Sequence, residues 1–63
     1  MKTIKKEEVG EKDFFTVDYF DDEDGYKRES LVDYSEMVRL KTNYGFGTKI
    51  FVHRHGEMIL VGN

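Results

Sequence analysis

Hydrophobic and polar positions alternate with period two from Phe14 to Phe20, with Phe15, Val17 and Tyr19 on one side and Phe14, Thr16, Asp18 and Phe20 on the other. That alternation, in residues that are mostly aromatic or β-branched, predicts a strand with one face against a core. A second extended run, Tyr26 to Val32, follows the turn Asp21-Asp22-Glu23-Asp24-Gly25. Asp24-Gly25 carries the positive-φ chemistry of a tight hairpin. A two-residue loop there sets Asp22 opposite Lys27 and Asp21 opposite Arg28, both favourable cross-strand pairs.

At Asp33 the period changes. Asp33 suits a helix N-cap, Glu36 three residues on suits a capping box, and Val32 and Met37 have the spacing of a hydrophobic staple. Tyr34, Met37, Val38 and the stem of Lys41 share one side, with Leu40 at its margin. This predicts a helix of about ten residues. Arg39 and Lys41 place positive charge toward its C-terminus, and Asn43-Tyr44-Gly45 with Gly47 ends it.

From Thr48 to Val61 the pattern is β again. Lys49, Phe51, His53 and His55 point one way, and Ile50, Val52 and Arg54 the other. A two-residue turn at His55-Gly56 sets Arg54 opposite Glu57 and returns Met58-Ile59-Leu60-Val61 beside Ile50-Phe51-Val52. The alternative is one long strand with a bulge at Gly56. The expected fold is therefore α+β: a small antiparallel sheet in the order β-β-α-β, with a fourth strand if the last segment folds back, and one helix packed on one face. Residues 1 to 12 form a charged N-terminal arm or, over residues 2 to 9, an edge strand blunted by lysines. Residues 13 to 63 form a single domain.

Charge and size narrow the functional classes. The 63 residues include 10 basic and 13 acidic side chains, a net charge of −3, and 38% are hydrophobic, which fits a globular chain rather than a disordered one. No apolar run nears the roughly 18 residues of a membrane span. The basic start Met1 to Lys6 meets Glu7-Glu8 where a secretion signal needs an apolar stretch. Cysteine is absent, so neither a disulfide nor a thiolate metal site is available. These features predict a cytoplasmic protein with no membrane partner. A domain of this size buries only about 60% of its unfolded surface, and a second copy is one way to complete such a core. A homodimer is expected, joined through an apolar patch on the helix (Tyr34, Met37, Leu40) or on the sheet (Phe14, Phe20).

Candidate chemistry is sparse. Asp21, Asp22, Glu23 and Asp24 make an acidic turn that either keeps the hairpin tip solvated or offers an acidic surface to a basic partner. An EF-hand register would need an oxygen ligand at Phe20, so that calcium motif fails. His53 and His55 share a strand face at the spacing of half a zinc site, but no third ligand has matching spacing. Tyr44-Gly45-Phe46-Gly47 reads as a structural turn, since it lacks the phosphate-cradling pattern. Ser30 and Ser35 have no positional relation to either histidine, so no enzyme and no cofactor are expected. Phe14, Phe20, Tyr26 and Phe51 have the types for stacking bases, but no basic stripe accompanies them, so direct nucleic-acid binding is not expected.

From Phe14 to Val61 the order of features resembles the small uracil-DNA glycosylase inhibitors of certain Bacillus phages. The aromatic strand Phe14 to Phe20 leads to the acidic turn Asp22-Glu23-Asp24-Gly25, then a short helix with Glu36, then the strand Lys49-Ile50-Phe51-Val52-His53-Arg54. The resemblance implies a dimer that imitates DNA, occupies the DNA-binding groove of a host repair enzyme and offers an apolar pocket to its DNA-probing loop. In that family aromatic residues flank the helix glutamate. Here Ser35 precedes Glu36, Arg39 or Leu40 stands on the next turn, and Tyr34 is the nearest ring. The segment between turn and helix is also shorter. A second resemblance, to a family of small prophage proteins with the same β-β-α-β order, implies the architecture and a phage origin. The expected function is inhibition of a host DNA-processing enzyme through Asp21, Asp22, Glu23 and Asp24 together with Tyr34, Glu36, Met37 and Leu40. The other expectation is a non-catalytic interaction or assembly module that forms a homodimer.

Overall fold

The computed structural model describes residues 2–45 and 47–62. A short strand, β1 (Thr3–Lys5), and a 3-10 turn (Lys6–Glu8) precede the hairpin of β2 (Phe15–Asp21) and β3 (Gly25–Val32). The helix α1 (Tyr34–Tyr44) follows, then the hairpin of β4 (Lys49–Arg54) and β5 (Glu57–Gly62). The strands form one sheet in the order β1-β5-β4-β2-β3. It is mixed rather than wholly antiparallel, because β1 runs parallel to β5, with Ile4 beside Val61. Residues 3–5 thus take the edge-strand alternative, in a strand too short to present a long unpaired edge.

The second hairpin has the expected register, with Arg54 opposite Glu57. His55 and Gly56 between them have φ of 52° and 74°, the positive values of a type I′ turn. The first hairpin differs from expectation. Asp21 pairs with Gly25 and Asp18 with Arg28, so the loop is the three residues Asp22, Glu23 and Asp24, with Gly25 at φ 82°. Asp21 explains the choice: its Oδ1 accepts from the backbone N–H groups of Glu23 at 2.8 Å and Asp24 at 3.2 Å. That local bonding satisfies a loop one residue longer than the minimal turn. Nearer the helix β3 carries an extra residue, where Leu31 sits at φ 56° and the register shifts between Phe15 and Val17.

Asp33 caps α1, accepting from the Glu36 N–H at 2.9 Å, but Glu36 turns to Arg39 and leaves the capping box half made. At the other end the Gly45 N–H donates to the Lys41 carbonyl at 2.8 Å. The stripe that packs on the sheet is rotated from the expected one: Met37 and Leu40 are buried, while Val38 is exposed. Tyr44 continues it, stacking on Tyr19 with ring centroids 4.3 Å apart. The core lies between this stripe and Phe15, Val17, Tyr19, Ile50 and Val52, with Ile4, Val32, Ile59 and Val61 at its margins.

Candidate interaction surface

Because α1 covers one face of the sheet, the cross-strand register identifies what the other face carries. Phe20 pairs with Tyr26, Asp18 with Arg28, Thr16 with Phe51, His53 with Met58 and Phe51 with Leu60, all out of phase with the core residues. Phe14, just before β2, continues the alternation. Phe14 and Phe20 are more than half exposed, Tyr26 is 87% exposed, and Met58 is exposed with them. Among the described residues no helix or loop covers these four side chains.

The rings are ordered by their neighbours. Phe20 and Tyr26 meet edge to face, with centroids 5.2 Å apart and planes at 72°, a favourable aromatic geometry. Arg28 lies 5.9 Å from the Phe51 centroid while its Nε and Nη2 grip both oxygens of Asp18 at 2.6 and 2.8 Å. The Arg28 guanidinium holds the Asp18 carboxyl below its usual range against the opposing effect of burial. At the centre, Thr16 is fully buried and its Oγ1 lies 2.6 Å from Nε2 of His53. The face is therefore aromatic and aliphatic, with the Asp18 carboxylate set between Arg28, which it pairs, and Lys49 on β4.

The residues expected to bind a partner are not brought together. Met37 and Leu40, at 6% and 3% exposure, belong to the core and have no surface to offer. Tyr34 is half-buried, with its ring 6.0 Å from Phe15 on the helix side. Glu36 accepts from Nε of Arg39 at 2.9 Å, a pairing that lowers its pKa. At the acidic turn, the Asp21 carboxylate is committed to the loop backbone, whose N–H groups lower its pKa, and Asp24 pairs with Lys27 at 2.9 Å. Asp21 accepts hydrogen bonds without an ion pair, whereas the side chains of Asp22 and Glu23 make neither an ion pair nor a hydrogen bond among the described residues. They border a shallow depression of about 560 Å³ with Phe20, Asp21, Asn43 and Tyr44.

His53 is engaged by Thr16, whereas His55 occupies the β4–β5 turn. Among the described residues no three His, Cys, Asp or Glu side chains gather as a metal site. Phe46, in the glycine-rich turn, lies outside the described residues. Among the described residues no helix is long and apolar enough to cross a membrane. No family model, no curated protein and no solved structure matches the chain.

The sequence marks Phe14 and Phe20 as a sheet patch for a dimer, and Phe14, Phe20, Tyr26 and Phe51 as rings able to share one face, but Met58 and Leu60 do not enter that patch. The signal was present. Met58-Ile59-Leu60-Val61 is apolar at every position, and a strand apolar on both faces needs cover on both.

Proposed function

We propose that this chain is a non-catalytic protein-interaction module that works as a homodimer joined through the uncovered face of its sheet. The observation that carries this reading is the one-sided cover: α1 buries one face, while Phe14, Phe20, Tyr26 and Met58 stand exposed on the other. Water penalises such a patch in proportion to its apolar area. A second copy suits it better than a charged partner. Two-fold symmetry sets a patch against itself, so unbalanced charge at the centre would repel. Here Asp18 pairs with Arg28 and lies opposite Lys49, so acid and base sit side by side rather than in a block of one sign. Nuclear Overhauser contacts filtered between labelled and unlabelled chains test the pairing. Contacts between chains at Phe14, Phe20, Tyr26 and Met58 are expected, and contacts confined to α1 would overturn it.

Inhibition of a host DNA-processing enzyme by acidic mimicry is the second reading. It is favoured by the free carboxylates of Asp22 and Glu23 beside the exposed Phe20. Under this reading the turn steers a basic partner toward the dimer, and association slows as salt screens it.

A further inference from the structure

The rim of the sheet where β4 begins and β5 ends has a different character from either surface above. A hollow of about 220 Å³ is lined there by Lys6, Lys41, Thr48, Lys49, Ile50, Leu60, Val61 and Gly62. Lys6 from the 3-10 turn and Lys41 from the last turns of α1 border it on the helix side, while Lys49, opposite Asp18, faces the open side of the sheet. Lys41 complements the helix C-terminus, yet neither it nor Lys6 makes an ion pair among the described residues. Among the described residues no acidic side chain lines the hollow. In its wall lies Thr48, whose Oγ1 is the one buried side-chain oxygen without a hydrogen-bond partner among the described residues. Two unpaired cations bordering an unpartnered hydroxyl are what a bound oxyanion relieves.

A second hollow, of about 400 Å³, adjoins the first and shares Lys6, Lys41, Ile50 and Val61 with it. Its remaining wall is mainly apolar, made by Val9, Tyr34, Met37 and Val38 with Thr42. A charged end thus opens into an apolar groove between α1 and the 3-10 turn. We propose that the two hollows form one binding site for a single-chain anionic amphiphile, its carboxylate or phosphate head between Lys6 and Lys41 and its apolar chain along Val9, Val38 and Val61. Most of the groove's lining belongs to α1, whose backbone groups are bonded within the helix, which suits an alkyl chain rather than a peptide needing backbone partners. The site is on the helix side of the molecule and is independent of the dimer face.

Titration of the labelled chain with decanoate, decyl phosphate, inorganic phosphate and 1-decanol, followed by amide chemical shifts, tests the proposal. Decanoate and decyl phosphate are expected to move Val38, Thr48, Ile50 and Val61, with the tighter of the two identifying the head group. The K6Q/K41Q variant is expected to weaken both by about tenfold while its thermal unfolding stays unchanged, since each lost ammonium removes a charge-assisted hydrogen bond from an exposed site. Inorganic phosphate binding as tightly as decyl phosphate would overturn the role of the groove. Equal binding of 1-decanol would overturn the role of the lysines. Shifts confined to the open sheet face, or no shifts, would overturn the site altogether.

Discussion

Arg54, on β4, grips Asp13, which lies 41 positions earlier, through Nε at 3.1 Å and Nη2 at 2.9 Å. The same guanidinium donates to the Glu8 carbonyl at 2.7 Å, and Asp13 accepts from the Gly10 N–H at 3.0 Å. One side chain from the sheet thereby fixes the segment that leads from the 3-10 turn to β2. Asp13's side chain is 15% exposed, so this pair is better shielded than the ion pairs at the hairpin tip.

The first prediction concerns acid. The hydrogen bond from Arg54 lowers the pKa of Asp13 from 3.8, Arg28 lowers that of Asp18, and Arg39 lowers that of Glu36 from 4.5. A carboxylate with a depressed folded pKa contributes stability above its unfolded pKa and loses it as pH falls through the folded value. Stability to urea should therefore be level above pH 4.5 and decline below it. Asp13→Asn should be less stable than the parent at neutral pH, and the gap should narrow as pH falls below 3.8 and the parent's carboxylate takes up its proton.

Much of the fold was legible because local chemistry and tertiary packing agreed. Asp33 capped the helix, His55-Gly56 turned the last hairpin, and Phe15, Val17 and Tyr19 faced the core. The first hairpin slipped because charge pairing is a weak guide to register: Asp21 could satisfy the loop backbone itself, and Arg28 found Asp18 instead. The helix stripe was misplaced by part of a turn because Val38 and Leu40 are equally apolar, and only the stacking of Tyr44 on Tyr19 favours one over the other. The candidate site was harder to read. Met37 and Leu40 have the composition of a docking surface and the position of a core, and sequence supplies only the first.

The second prediction separates those roles. Leu40→Ala should cost about 2–5 kcal/mol by emptying a buried site, whereas Asp33→Ala should cost about 1 kcal/mol through loss of the cap. Denaturant unfolding at neutral pH measures both. Equal losses would place Leu40 at the surface.

The third prediction concerns the β4–β5 turn. His55 holds a positive φ of 52° in a position where asparagine is preferred. His55→Asn should raise the thermal midpoint, with an effect of roughly 0.5–1 kcal/mol. An unchanged or lowered midpoint would show that the imidazole makes a stabilising contact that offsets its backbone strain.

The acidic turn supplies the fourth prediction. Asp22→Asn with Glu23→Gln should leave stability unchanged or slightly raised, because these two carboxylates make no ion pair among the described residues. Asp21→Ala should destabilise the hairpin by removing the acceptor of two backbone N–H groups. If the turn steers a basic partner, the double variant should slow association at low salt without altering the fold.

The open sheet face is tested most directly by sedimentation equilibrium across micromolar concentrations, comparing the parent with Tyr26→Lys/Met58→Lys. Both positions are exposed in the single chain, so the substitutions spare the core and add like charges to a patch that meets itself. The parent should sediment at twice the 7.5 kDa chain mass and the variant at that mass, with the same thermal unfolding at low concentration. A parent that remains at 7.5 kDa throughout, or a variant that dimerises equally well, would contradict the assignment of this face.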